Sequence, residues 1–464
     1  MMVCRSMRES ILLERPTFAL DVVASSERRR KDVQACIIGR DIRFKTAALE
    51  SFASRNWNNV VFDALVVAAA VEFCDRALAR RAVIWGREFN VLIAVHDADL
   101  WSSSKVYEPL IAGLELLTGD RWKIEFVTRI SPAESPRQIV MEFPRNAEAV
   151  IAYSDGMDSR AVAGLERATR GDKLVLVRLG GSGTRLTKAE RAARPFTAVP
   201  YEVELGRDNG ENSARSRGFK FAMIAAIGAF LVNAPVVIVP ESGQGALGPA
   251  LLPVGQGYPD YRNHPAFTAR MEALSRALLG HAVRYEFPRI WNTKGETLAA
   301  FARLGSDDVK WMDTRSCWQQ ARHVSVDGHF RQCGICAACL LRRLSVHAAG
   351  LSEPASTYVW ENLGAAVFEE GANPNFKKIT RALRQYAIAG VMHFDHMAGL
   401  RKSPEYTLVK SRFVHGLAPG LREEAPVVAG KLDQLLTRHE EEWSAFIDSI
   451  GAQSFLNAWI SSRP

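Results

Sequence analysis

No apolar run in this chain is long and uninterrupted enough to span a bilayer, so no membrane association is expected. The opening residues, MMVCRSMRESILLERP, are basic but lack an extended apolar core and a small-residue cleavage site, which makes them a poor signal peptide. No internal repeat or low-complexity tract stands out. Cysteine is scarce: seven in 464 residues, an odd number, with three packed into one heptapeptide. That distribution fits a reducing compartment and a metal site better than a disulfide framework. A cytoplasmic protein is expected.

What is present is ordinary in bulk. The length exceeds one comfortable core, so two or three domains are expected. Apolar residues make up 47% and charged residues 24%, as in a globular protein. The net charge of +8 suits polyanions such as ATP or RNA, and equally a generally basic surface. Three regions suggest themselves. Residues 1–144 mix a helical stretch at 60–79 with strand-like runs at 89–95 and 122–127, and Ser131-Pro132-Ala133-Glu134-Ser135-Pro136 reads as a linker. Residues 145–350 alternate strand and helix: aliphatic runs at 174–179 and 235–239 flank an apolar helix at 214–232. Such strands imply a parallel sheet covered on both faces by helices, an α/β fold with ligands at the carboxyl ends of its strands. From about 355 onward the pattern reads as helical throughout.

Chemistry concentrates at one turn. The β-leaning run Ala149-Val150-Ile151-Ala152-Tyr153 leads into Ser154-Asp155-Gly156-Met157-Asp158-Ser159, followed by a helical pattern at Ala161, Val162 and Leu165. A strand delivered into a small-residue turn that opens a helix presents free backbone N–H groups at the positive end of the helix dipole. Phosphate or pyrophosphate fits there. Ser154 and Ser159 add hydroxyl donors or act as simple helix caps, Gly156 permits close approach, and Asp158 suits an N-cap or a Mg²⁺ ligand.

Cys333, Cys336 and Cys339 stand at C-x2-C-x2-C spacing, with Cys317 sixteen positions before Cys333. Four thiolates suit a tetrahedral Zn²⁺, and an iron–sulfur cluster uses the same set. His323 and His329 lie between the ligands as possible competitors. Cys4, Cys36 and Cys74 are isolated and read as structural.

The hexapeptide resembles the S-G-G-x-D-S loop of the ATP pyrophosphatases, with Asp155 where that family usually has glycine. Together with the later C-G-x-C-x-x-C-x-x-R run ending at Arg342, it resembles the QueC-type 7-cyano-7-deazaguanine synthases. Gly257-Tyr258-Pro259-Asp260-Tyr261-Arg262 looks like that family's G-Y-P-D-x-R segment. Trp291-Asn292-Thr293-Lys294-Gly295-Glu296-Thr297 looks like its K-T-K-x-E-T element, and the segment from Ser216 through Arg217 to Phe221 is a looser echo. The likeness covers roughly 145–350. The added flanking regions make the chain similar to the QatC-like proteins of anti-phage defence systems.

The resemblance implies an adenine-nucleotide α-hydrolase-like, pyrophosphate-loop fold with a zinc knuckle, an added N-terminal α/β region, and a C-terminal helical region at 351–464. It implies activation of a 7-carboxy-7-deazaguanine-like carboxylate as an acyl-adenylate, with pyrophosphate release, then amide or nitrile formation with an amine. Asp158, Ser159 and Lys294 would carry catalysis. Tyr153, Ser154, Asp155, Gly156, Met157, Asp158, Ser159 and Arg217 would hold ATP with Mg²⁺. Tyr258, Pro259, Asp260 and Arg262 would bind the deazaguanine, with Tyr258, Tyr261 or Trp291 stacking on its ring or packing in the core. Cys317, Cys333, Cys336 and Cys339 would hold a structural zinc. The added regions favour a macromolecular partner, a protein of a defence operon or a nucleic acid. Two other readings stay open: a tRNA-modifying pyrophosphate-loop enzyme, and a zinc-stabilised nucleotide-binding module without turnover.

Overall fold

The computed structural model describes residues 15–49, 56–81, 84–136, 146–154, 156–178, 196, 198–206, 211, 214–253, 257–305, 311–320 and 323–461. The N-terminal region builds a sheet from β1 (Thr17–Ala24), β2 (Gln34–Ile38) and β3 (Ile42–Phe44), then helix α1 (Asn59–Ala77), β4 (Glu88–Val95), helix α2 (Ser104–Thr118) and β5 (Arg121–Thr128). Its five strands are parallel, in the order β5-β4-β1-β2-β3. The runs expected at 89–95 and 122–127 are β4 and β5, and the helical stretch is α1. Helix α1 is apolar almost all round, and such a helix must be enclosed. Phe62, Leu65 and Val66 are fully buried, and Asn58 caps the helix by accepting from the Val61 N–H at 3.0 Å.

The central region follows with β6 (Ala149–Tyr153), α3 (Met157–Arg170), β7 (Leu174–Arg178), β8 (Tyr201–Val203), α4 (Arg217–Val232), β9 (Val236–Ile238), α5 (Pro265–Leu279), β10 (Arg284–Glu286) and α6 (Lys294–Ala302). A second parallel sheet runs β10-β9-β6-β7. Strand β8 leaves this sheet and pairs antiparallel with β3, Ile42 opposite Val203, so it closes the edge of the first. One apolar core, holding Leu65, Phe89, Phe219, Ile227 and Phe267, runs through both sheets.

Helix α4 starts at Arg217, three residues later than the apolar pattern suggests. Ala214 takes a left-handed φ of 47°, and the Ser216 N–H is claimed by Asp75 Oδ2 at 2.9 Å. Asp75 belongs to a buried charge cluster at the seam of the two regions. Arg87 Nη2 lies 2.6 Å from Asp75 Oδ1 and 2.7 Å from Asp120 Oδ2, and Arg80 Nη1 adds a 2.6 Å contact to Asp120.

The C-terminal part carries α7 (Ala337–Ala348), α8 (Arg381–Gly399), α9 (Tyr406–Leu421), α10 (Ala425–Ile450) and α11 (Phe455–Ser461). Helix is not continuous from 355, as the pattern suggests. Residues 358–367 and 372–380 are irregular, broken by short 3-10 turns at Ala355–Thr357 and Phe368–Gly371. Pro354 and Pro374 each remove a donor, and the segment is fixed by aromatic packing instead. Trp360 stacks on Phe368 at 4.8 Å, in a core shared with Cys333, Cys336, Phe394 and Trp443. Regular helix resumes where Thr380 caps α8, accepting from the Leu383 N–H at 3.2 Å. Among the described residues no helix is long and apolar enough to cross a membrane.

Candidate active site

Strand β6 ends at Tyr153 and α3 begins at Met157, so the Ser154–Ser159 turn stands at the carboxyl end of the second sheet. Asp155 lies outside the described residues. Among the described residues no side chain caps α3, whose N-cap is Gly156. Ser154 and Ser159 therefore do not act as caps: their hydroxyls bond to each other at 2.8 Å, and the Gly156 N–H donates to Ser154 Oγ at 3.2 Å. No described side chain takes the first-turn N–H groups, which stand at the positive helix end where a ligand could meet them. Met157 has its side chain in a core with Leu298 and Phe301, so only its backbone faces this end. Tyr153 is half-buried beside the sheet core.

Lys294, in a polar stretch that reads as solvated, is buried. Its ammonium donates to Asp158 Oδ2, while Asp158 Oδ1 accepts from Ser242 Oγ at 3.1 Å. Lys294 is the first residue of α6. Thr293 caps that helix in a reciprocal box with Glu296.

A cavity of about 240 Å³ opens beside the turn. Its polar lining includes Ser154, Ser159, Arg217, Glu241, Arg262 and Asn263, and its apolar walls include Phe221, Val239 and Tyr285. Arg217 is exposed at its edge, with the guanidinium over the Phe221 ring at 4.8 Å. Burial, then the charge of neighbouring Asp158, pushes the Glu241 carboxyl up to about 8 against the pull of Lys294 and Arg262. Asn263 Nδ2 donates to Glu241 Oε2 at 3.0 Å. Two adjacent carboxylates, Asp158 and Glu241, form an oxygen set that fits a hard divalent cation.

From the Gly257–Arg262 segment the cavity takes Arg262, not Tyr258, Pro259 or Asp260. Asp260 holds the arginine in place, accepting from Arg262 Nη2 at 2.6 Å and pairing with Arg215 at 3.1 Å. Tyr258 turns toward the N-terminal region, stacking on Trp85 with centroids 5.9 Å apart and donating to Leu116 O at 3.0 Å. Tyr261 meets the edge of Tyr258, and Trp291 lines a separate cavity with Arg284 and Arg422. The aromatic walls beside the turn are Phe221 and Tyr285.

Cys317, Cys333, Cys336 and Cys339 converge, their four Sγ atoms all within 4.8 Å of one another. Zn–S bonds of about 2.3 Å in a tetrahedron put sulfurs about 3.8 Å apart, and Cys333 and Cys339 are 3.8 Å apart. Backbone N–H groups already point at the sulfurs: Cys333 N donates to Cys317 Sγ at 3.2 Å and Cys336 N to Cys333 Sγ at 3.3 Å. Such donors favour thiolate. The residues fit a closed Zn²⁺ site without His323 or His329. Arg342, one turn into α7, pairs with Glu353 and donates to Thr314 O at 2.8 Å, tying the residues before Cys317 to the helix after Cys336. Cys36 and Cys74 are buried in the N-terminal core; Cys4 lies outside the described residues.

Residues 254–350 match the family described as queuosine biosynthesis protein QueC. That stretch, about a fifth of the chain, is similar to the QueC family. The 7-cyano-7-deazaguanine synthase of Cupriavidus taiwanensis is 29% identical over 232 residues, which cover 44% of this chain and 95% of that protein. The synthase of Ralstonia nicotianae is 26% identical over 227 residues, 44% of this chain and 96% of its own. That of Methylobacillus flagellatus is 36% identical over 101 residues, 21% of this chain and 40% of its own. No solved structure matches the chain. The matched residues thus include Arg262, Lys294 and the four cysteines, whereas the Ser154–Ser159 turn and Glu241 precede them.

Glu241, Ser242 and Gln244 escape a reading built on the turn alone. Their signal is local: Glu241-Ser242-Gly243-Gln244 directly follows the β9 run, at the end of a parallel strand where ligands bind.

Proposed function

We propose that the protein activates the carboxylate of a 7-deazaguanine with ATP and couples it to an amine. A carboxylate oxygen of 7-carboxy-7-deazaguanine attacks the α-phosphate, pyrophosphate leaves, and an acyl-adenylate forms. The amine nitrogen then attacks the acyl carbon, loses a proton and AMP departs, giving an amide; where the amine is ammonia, a second ATP would adenylate the amide oxygen, which leaves with AMP to give the nitrile. No protein nucleophile is required, only positioning and charge neutralisation. The observation that carries this reading is the start of α3, uncapped among the described residues, with Ser154 and Ser159 beside a cavity bearing Arg217 and Arg262.

In this reading the α3 N-terminus and the two serines cradle the pyrophosphate, and Arg217 and Arg262 receive the anionic groups of ATP and the carboxylate. Lys294 offsets charge at Asp158. Mg²⁺, where bound, would be held by Asp158 and Glu241 and would neutralise phosphate charge. Zinc on four thiolates has no open position and is structural. The large regions outside the QueC domain favour a macromolecular amine, and the likeness of this design to QatC-like proteins extends the proposal to anti-phage defence in the cytoplasm.

A thiolating tRNA enzyme would need reactive thiols near the turn. Among the described residues, four cysteines are gathered in the metal set, and burial pushes the Cys36 and Cys74 thiols well up. The ligase reading is therefore favoured. Mass spectrometry after incubation with ATP, Mg²⁺ and 7-carboxy-7-deazaguanine, with and without candidate amine partners, tests it. Carboxylate-dependent pyrophosphate release with an amide or nitrile product is expected. ATP bound but never cleaved would replace this reading with a binding module.

A further inference from the structure

Helix α10 reaches the candidate active site from behind, through a chain of buried hydrogen bonds. Gln244 Oε1 accepts from the Lys294 backbone N–H at 2.8 Å. Lys294 opens α6, so this N–H is one that its own helix leaves without a partner. Gln244 Nε2 donates to His439 Nδ1 at 2.9 Å and toward Glu442 Oε2 at 3.3 Å. The opposite ring nitrogen, His439 Nε2, donates to Phe394 O at 2.9 Å, which fixes the tautomer. Thr293 Oγ1, the cap of α6, donates to Glu442 Oε1. Gln244, Thr293 and His439 are almost fully buried.

The packing admits almost no slack. A Cβ on Gly243 would stand 2.3 Å from Ile290 O and 2.5 Å from Leu435 Cδ2, and one on Gly295 would stand 3.0 Å from Glu442 Oε1. Arg438 adds a further tie, donating to Trp291 O at 2.6 Å.

We propose that Gln244, His439 and Glu442 are positioning residues for Lys294, so that helix α10 is a working part of the active site. The role of Lys294 at Asp158 rests on the ligase reading above. A lysine ammonium sits on four rotatable carbons and is strongly hydrated. It holds one place only if its backbone is pinned, and the Gln244–His439–Glu442 chain pins it. Residues 435–442 lie outside the stretch matched by the QueC family.

The test compares Gln244→Leu, His439→Phe and Glu442→Gln in the wild-type and Lys294→Ala backgrounds. Carboxylate-dependent pyrophosphate exchange and hydrogen exchange at the 293–297 amides are the two readouts. In the wild-type background, kcat is expected to fall about 10- to 100-fold, with KM for ATP changing much less. In the Lys294→Ala background the same changes should have almost no further effect. Equal losses in both backgrounds would overturn the proposal, as would unchanged amide protection at Lys294. Amide exchange needs no turnover: faster exchange in the variants of a protein that proves inactive upholds the positioning chain, while the ligase reading alone falls.

Discussion

The Lys294 ammonium and the Asp158 carboxylate meet across 136 positions of sequence, joining the start of α6 to the first turn of α3. Both are buried, and Asp158 also accepts from Ser242. In the proposed reaction, removing either charge strips the turn of a preorganised group where phosphate charge would develop. Asp158→Asn, Lys294→Met and Ser154→Ala are each expected to lower carboxylate-dependent pyrophosphate release by about 10²- to 10³-fold. Circular dichroism should show the fold intact. Wild-type turnover in all three would remove the turn from the active site.

The turn and the metal set were legible because each is written in consecutive or closely spaced residues. A strand, a small-residue hexapeptide and a helix give 149–165 its form, and C-x2-C-x2-C brings three thiols together. Lys294 was legible only as a motif match, since its polar neighbours suggest exposure; its burial comes from Gln244 and α10, both far off in sequence. Tyr258 and Asp260 sit in a motif that points at substrate, but the N-terminal region takes Tyr258 onto Trp85 and two arginines take Asp260. His439 and Glu442 give no signal at all. On an amphipathic helix they look like any solvated pair, and only tertiary packing turns them inward.

Zinc should contribute folding free energy directly. Four converging thiols that lose one member bind the ion weakly and leave buried sulfurs in the core shared with Trp360 and Phe368. Cys336→Ser or Cys339→Ser is expected to lower the thermal midpoint strongly while leaving the KM values of the folded fraction little changed. Metal analysis of the purified protein should return about one zinc per chain. A stable wild type free of both zinc and iron would contradict the assignment, and iron in its place would favour a cluster.

Arg87 should be among the most sensitive positions outside the active site. It is fully buried between Asp75 and Asp120. Burial pushes the Asp75 carboxyl up, but Arg87 and the Ser216 N–H more than offset this and hold it below the ordinary carboxylate range. Arg87→Met leaves two buried carboxylates sharing Arg80, a change that typically costs about 3–5 kcal/mol. Urea unfolding should show a loss of this size. A loss under about 1 kcal/mol would mean the cluster is hydrated and weak.

Glu442 makes a prediction about pH whose sign follows from its surroundings. Burial pushes this carboxyl up to about 7, although Thr293 and Gln244 donate to it. In the unfolded chain it titrates at an ordinary glutamate value, about 4.3. Between those two values the folded protein binds the extra proton, so this group's contribution to stability is full at low pH and is lost as pH rises toward about 7. Above that both states are ionised and its contribution stays constant. Glu442→Gln cannot titrate, and other groups cancel in the comparison of the two proteins. The wild type is therefore expected to lose stability relative to Glu442→Gln as pH rises from about 4.5 to about 7, with a constant difference beyond. Urea midpoints measured across that range give the curve. A difference that does not vary with pH would show that Glu442 titrates as an ordinary exposed carboxylate and that the buried contact with Thr293 and Gln244 is not formed in solution.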